Sequence, residues 1–308
     1  MVLQWYLLEN ADDPGTAAEV DSRDLPREVI TKALIFQIEA LANGTGGVSR
    51  VNLAAQVDQF RIGAVESNRI SEIDGEDLDA WNVLNQNDAF YHNSNTDNQV
   101  VALGMTYNLD PYCMGPKCDY NQNFGISPSV ARKVEFAYAA DGATDTLNVA
   151  VDSKQLSIGA IAKDREQSGT GGYLCFTRDA QTAVNNQNLF TTIPQPGQAL
   201  GVFGFETNDT AAAQTAIRTA NDIQELAVTV GRKDLLGPVF PDLIKSFNGT
   251  YETGALSDEG YFFWNLGISN EVGALGRGPI PDKTEVRVKG GSDAGAYRIY
   301  IPRLNTNV

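Results

Sequence analysis

Apolar residues along this chain come in short runs, rich in β-branched side chains and bounded by Gly, Asn, Asp and Pro. That pattern predicts strands joined by turns. The strongest run covers residues 28–41 and stops at Asn43-Gly44-Thr45-Gly46-Gly47. Within it, residues 35–39 alternate less cleanly than a strand with one wet face and fit a helix as well. Further strands are predicted over residues 51–57, 59–67, 99–109, 133–140, 146–151 and 155–162, with Asp141-Gly142 as a hairpin signal. A second series follows at 173–177, 198–206, 222–231, 261–268, 284–289 and 296–301. Two short helices fit between strands. One covers 75–86, with Asp74 as N-cap and Leu78, Trp81 and Leu84 or Asn85 on one face. The other covers 238–247, with Pro238 at its start and Asn248-Gly249 at its end. Nothing alternates β with long α, so the fold class is all-β, built as sandwiches.

Residues 1–27 read as an irregular arm, with a turn at Asp12-Asp13-Pro14-Gly15 and a stop at Leu25-Pro26. The cluster Trp5, Tyr6, Leu7 and Leu8 would be left exposed on a solvated arm. It therefore either packs back on its own domain or docks on a neighbouring molecule, and these four are the candidate interaction residues. The segment from Lys163 to Gly172 turns from charged to Gly-rich and reads as a linker. The expected division is an arm over 1–27, a first sandwich over 28–165 and a second over 166–308, consistent with about two domains for 308 residues.

The two halves rhyme. In the first, Phe60-Arg-Ile-Gly-Ala-Val65 precedes Asp77-Leu78-Asp-Ala-Trp81-Asn-Val-Leu-Asn85; in the second, Gln224-Glu-Leu-Ala-Val-Thr-Val230 precedes Pro241-Asp242-Leu243-Ile-Lys-Ser-Phe247-Asn248. Strand, loop, Asp-Leu helix and closing Asn recur about half a chain apart, as in two similar sandwiches. Together with the last strand, Ala296-Tyr-Arg-Ile-Tyr-Ile301, these segments resemble the double jelly-roll major capsid proteins of tailless icosahedral viruses, many of which enclose a membrane. The resemblance covers roughly residues 28–308 and is one of architecture.

It implies two jelly rolls and homotrimeric, pseudo-hexagonal capsomers. The implied partners are other copies of the chain, neighbouring capsomers, minor capsid or vertex proteins and, in members that have one, an internal membrane. It also implies a place in the virion after assembly in the host cytoplasm. The family often carries a basic or amphipathic N-terminus, whereas residues 1–22 here contain no Lys or Arg. Attraction of this arm to an anionic bilayer or genome is not expected. Long polar stretches at 88–98, 110–129, 177–197 and 270–282 read as loops suited to contacts between like subunits.

Charge narrows the choice. With 23 Lys and Arg against 39 Asp and Glu, the formal charge is −16, which argues against a phosphate-binding face and sequence-specific nucleic-acid binding. Charged residues make up only 20%, so the surface is largely Asn, Gln, Ser, Thr and Gly. The start lacks a basic n-region, and no apolar run approaches the ~18–20 residues of a membrane span. Cys113 and Cys118 bracket a Gly-Pro turn and Cys175 stands apart; free thiols are expected, since a zinc site would need all three with His92.

Catalysis finds little footing. His92, the one histidine, lies in a polar stretch with no partner motif. The acids Glu72, Asp74, Glu76, Asp77 and Asp79 are explained as cap and first-turn charges of the predicted helix. Gly169-Thr-Gly-Gly172 lacks the Lys-Ser/Thr of a P-loop, and Pro279 and Pro281 forbid a helix after Gly273-Ala-Leu-Gly276-Arg-Gly278. Asp141-Gly-Ala-Thr-Asp145 lacks the twelfth-position acid of a calcium loop. No enzyme activity, cofactor or metal is expected. The alternative is a carbohydrate-binding or adhesive jelly-roll surface protein, which would need exposed aromatics; Trp5, Trp81 and Trp264 sit in an arm, a helix and an apolar strand. A two-domain glycoside hydrolase ranks third.

Overall fold

The computed structural model describes residues 4–12, 20–43, 53–64, 68–86, 91–93, 99–106, 125–131, 133–138, 150–164, 172–184, 186–193, 198–206, 223–241, 243–244, 261–266, 283–291 and 295–306. The chain divides into two units, Met1–Cys175 with Thr306–Val308, and Phe176–Asn305. The first holds β1 (Gln4–Asp12), β2 (Val20–Asp24), β3 (Val29–Asn43), β4 (Val57–Ala64), β5 (Asn68–Ile73), α1 (Gly75–Gln86), β6 (Tyr91–Asn93), β7 (Gln99–Thr106), β8 (Lys133–Tyr138) and β9 (Ala150–Asp164). The unit boundary falls within β10 (Gly172–Thr182). There follow β11 (Asn188–Thr192), β12 (Gln198–Ala199), β13 (Gly201–Glu206), β14 (Ile223–Val230), β15 (Lys233–Val239), β16 (Tyr261–Asn265), β17 (Thr284–Gly290) and β18 (Ala296–Thr306).

The strand order is repeated. The first unit has one sheet ordered β1-β9-β3-β7-β6 and another ordered β2-β8-β4-β5. The other two sheets run β10-β18-β13-β16, with β12 also beside β18, and β11-β17-β14-β15. Replacing β1 by β10, β2 by β11, β3 by β13, β4 by β14, β5 by β15, β7 by β16, β8 by β17 and β9 by β18 turns the first pair of orders into the second. Only β6 and β12 fall outside the match. Each half is a jelly roll, so the all-β double jelly roll expected from the sequence is the fold.

Period-two burial explains each sandwich. On β3, Leu34, Phe36 and Ile38 point inward, paired with Ala160, Ile158 and Leu156 of β9. Phe60 of β4 stacks on Phe36 with ring centroids 4.0 Å apart, joining the two sheets across the core. The second core is built alike, from Val202, Phe262, Ile299 and Ile301 on one sheet and Leu226, Val228, Val286 and Val288 on the other.

Helix α1 occupies the predicted residues. The Leu78 N–H donates to the Asp74 carbonyl at 2.9 Å, while Leu78 and Trp81 are buried. A Cβ on Gly75 would sit 2.2 Å from the Ala54 carbonyl oxygen and 2.4 Å from that of Val57, so the helix start approaches the preceding turn as only glycine allows.

Several expectations are corrected. Where residues 1–27 are described they are not an irregular arm: β1 pairs with β9 and β2 with β8, completing both sheets of the first jelly roll. Residues 35–39 continue β3 as strand, and 150–164 form one strand where two were expected. Residues 53–56 make a helical turn before β4, with the Gln56 N–H donating to Leu53. Pro238 lies in β15, and helical bonding begins at Phe240, whose carbonyl accepts from Ile244 at 3.2 Å. Most of the predicted loop at 177–197 is strand, and β6 lies inside the predicted loop at 88–98. The segments 110–124 and 270–282 lie outside the described residues, as do the Asp141-Gly142 turn, Cys113 and Cys118.

Candidate assembly surface

The four candidate interaction residues share one strand but divide between its faces. Tyr6 pairs with Ala160, whose side chain is in the core, so Tyr6 faces inward and is half-buried. Trp5 and Leu7 pair with Ile161 and Gly159 on the opposite face and are 68% and 69% exposed. A register shift follows Leu7, leaving Leu8 at the irregularity, half-buried, and turning Glu9 toward the interior. Across the sheet, Ile161 continues to Ala33 and Thr106, and Gly159 to Ile35 and Gly104. None of these register partners is a charged residue. Farther along β3 the same face turns polar at Gln37, whose Nε2 donates to Glu39 Oε1 at 2.5 Å. β1 is also an edge strand, with β9 as its one ladder partner among the described residues.

What holds β1 in place is polar. The Arg23 guanidinium, on β2, reaches Glu9 of β1, pairs with Asp21 at 2.5 Å and lies 5.5 Å from the centroid of the Phe136 ring. It thus ties one sheet to the other at the open side of the sandwich. Burial alone would raise the Asp21 carboxyl, but the hydrogen bonds from Arg23 and the Ser22 N–H, with the Arg23 charge, hold it below the usual range. Burial likewise disfavours the charged Arg23; its bonds to Asp21 and Glu9 outweigh this and keep it firmly protonated. The second jelly roll has a counterpart between the matching strands, where Thr191 of β11 donates to Asp179 of β10. Nearby, Tyr297 is buried with its hydroxyl unpartnered, and its pKa is raised, first by burial and then by the Asp179 charge.

A second apolar layer escaped the sequence reading. On the sheet containing β13, Val202, Phe262 and Ile299 face the core, which puts Phe203, Tyr261, Phe263 and Tyr300 on the opposite face. All four are buried, and Phe203 stacks on Tyr261 at 5.7 Å. Gly201 makes room: a Cβ there would lie 2.4 Å from the Phe263 ring. The signal was in Tyr261-Phe-Phe-Trp264, a strand apolar at both parities, which marks burial on both faces. By contrast, the outward face of the sheet containing β14 is ionic. Lys289 bonds Glu225 at 2.7 Å, Arg287 meets Asp234 at 3.2 Å, and Arg232 lies 5.3 Å from the centroid of the Phe190 ring.

The candidates for chemistry do not converge. Asp74, Asp77 and Asp79 are buried around the start of α1, with Glu76 and Asp77 in its first turn. His92 lies in β6, paired with Val101. Cys175 is buried and takes part in no disulfide. Among the described residues, no group of three or more His, Cys, Asp or Glu is placed to hold a metal ion. Trp81 is buried in α1 and Trp264 half-buried in β16, whereas Trp5 stands exposed on a sheet.

No family model and no curated protein matches the sequence. Solved structures do match the fold over nearly the whole chain. The STIV major capsid protein aligns with a TM-score of 0.67 at 10% identity, covering 98% of this chain and 97% of that one. The major capsid protein of Bacteriophage PM2 aligns at 0.59 and 10% identity, covering 99% and 98%. The Faustovirus major capsid protein aligns at 0.58 and 7% identity, covering 100% and 90%. At such identities the likeness is one of fold.

Proposed function

We propose that this chain is the major capsid protein of an icosahedral virus, a structural subunit and not an enzyme. The observation that carries the proposal is the repeated jelly-roll strand order, matched end to end by capsid proteins of nearly the same extent. Three copies of a chain with two like sandwiches present six similar lobes. That near-sixfold outline suits the tiling of a shell, while threefold symmetry keeps the contacts within each trimer identical. In this reading the building block is a homotrimer with one jelly roll on either side of residue 165. It packs against neighbouring trimers and minor or vertex proteins in the virion, after assembly in the host cytoplasm.

The acidic surface suits the role. A charge of −16 per copy keeps free subunits apart until apolar contacts at close range outweigh repulsion, and salt moderates that repulsion. Light scattering after gel filtration, with negative-stain imaging of the peak, tests the proposal. A trimer mass and a six-lobed outline are expected. A chain that stays monomeric at hundreds of micromolar, in low and in physiological salt, would overturn it.

A further inference from the structure

Resting on that reading, we infer that the outward face of the β1 end of the first jelly roll is a seam between copies of this chain, with Trp5 and Leu7 as its anchors. Three observations converge on it. Trp5 and Leu7 point away from their own core, and their register partners, Ile161 and Gly159 of β9 followed by the buried Ala33 and the half-buried Ile35 of β3, are uncharged residues. The two side chains leave on the order of 300 Å² of apolar surface in water, a sizeable share of the ~800 Å² that each partner brings to an ordinary interface. Trp is also among the residue types that dominate binding energy at such contacts.

The internal repeat makes the second observation. β13 matches β3, and the corresponding outward face in the second jelly roll is the buried layer of Phe203, Tyr261, Phe263 and Tyr300. One of two equivalent faces is thus apolar and covered, while the other is apolar and bare at its edge strand.

Charge supplies the third. Every copy carries −16, so two copies meet most readily where neither presents a carboxylate, and residues 1–8 hold no ionisable side chain but Tyr6. Arg23, the cation that reaches β1, is already bound by Glu9 and Asp21 and is not available to an anionic lipid or a polynucleotide. A second copy of this chain is therefore the occupant.

Because both anchors face solvent in the free chain, replacing them leaves the fold intact. The double variant Trp5→Ser/Leu7→Ser is compared with the native chain and with Leu235→Ser, which alters an exposed leucine on β15. Circular dichroism and melting of each variant at a dilution where the native chain is dissociated establish that folding is unchanged. The double variant is expected to need at least ~100-fold higher concentration to assemble, with Leu235→Ser assembling like the native chain. Emission from Trp5, isolated by difference against Trp5→Phe, is expected to shift to the blue as the native chain assembles.

Assembly of the double variant at native concentrations, with no shift in Trp5 emission, would overturn the seam while leaving the capsid reading intact. A native chain that never assembles would overturn both. A blue shift produced by phosphatidylcholine–phosphatidylglycerol vesicles and not by protein concentration would overturn the seam in favour of a lipid surface.

Discussion

Gly75 offers a sharp test of how the first jelly roll is built. Replacing it with alanine adds one methyl group, which in an ordinary helix is favourable. Here the new Cβ would stand 2.2 Å from the Ala54 carbonyl oxygen and 2.4 Å from that of Val57. An unstrained carbon–oxygen contact is about 1 Å longer, and both clashing atoms are backbone, so no side chain can swing aside. Relief means shifting the start of α1 or the 53–57 turn by about 1 Å, which loosens Leu78 and Trp81 in the core. Overpacking of this kind costs ~1–3 kcal/mol, and with no flexible neighbour the upper end, ~3 kcal/mol, is expected. For a jelly roll of this size that lowers the melting temperature by roughly 6–12 °C. Gly63→Ala is the matched control, because a Cβ there meets nothing within 4 Å and should change stability by less than ~0.5 kcal/mol. Thermal melts followed by circular dichroism decide it. If Gly75→Ala and Gly63→Ala melt within ~2 °C of each other, the close approach of helix and turn is refuted.

Other outcomes follow from the same geometry. The raised pKa of Tyr297 means that the folded chain keeps this proton after the unfolded chain has lost it near pH 10, so stability is full below pH ~10 and falls above it. Tyr297→Phe should flatten that alkaline decline in urea titrations and, by deleting an unpartnered buried hydroxyl, leave neutral-pH stability equal or higher by about 1 kcal/mol. The lowered pKa of Asp21 has the opposite sign: its contribution is present above pH ~4 and is lost as pH falls through the folded value. Asp21→Asn should therefore show a shallower loss of stability between about pH 4 and pH 2 than the native chain. Deleting residues 1–24 removes β1 and β2 but retains the buried Leu25; loss of the first jelly roll's cooperative melt is expected, whereas an unchanged melt would restore the picture of a dispensable arm.

Part of the candidate surface was legible in advance. Trp5-Tyr-Leu-Leu8 stood out as an apolar cluster that had to be covered, but its strand state and the division of its side chains between two faces were not visible. The reason is local. Gln4 to Asp12 lacks clean alternation, because the register shift after Leu7 breaks the period and turns Glu9 inward, where it meets Arg23. The aromatic layer of Phe203, Tyr261, Phe263 and Tyr300 was marked by runs apolar at both parities, a signal that tells of two covered faces without saying which strands meet.

The central strands, the α1 helix and the all-β class could be read from the order of residues alone. β3, β4, β7, β8, β9, β13, β14, β17 and β18 lie inside their sheets, and each was visible as an apolar, β-branched run. The strands it did not reveal, β1, β2, β5, β6, β11 and β15, are all at sheet edges. An interior strand must satisfy neighbours on both sides and bury at least one face, so its composition announces it. An edge strand has one ladder partner and water on the other side, so polar sequences such as Val20-Asp-Ser-Arg-Asp24 or Lys233-Asp-Leu-Leu-Gly-Pro-Val239 serve as well as any. Their pairing is supplied by the adjacent strand, which only the tertiary structure brings alongside.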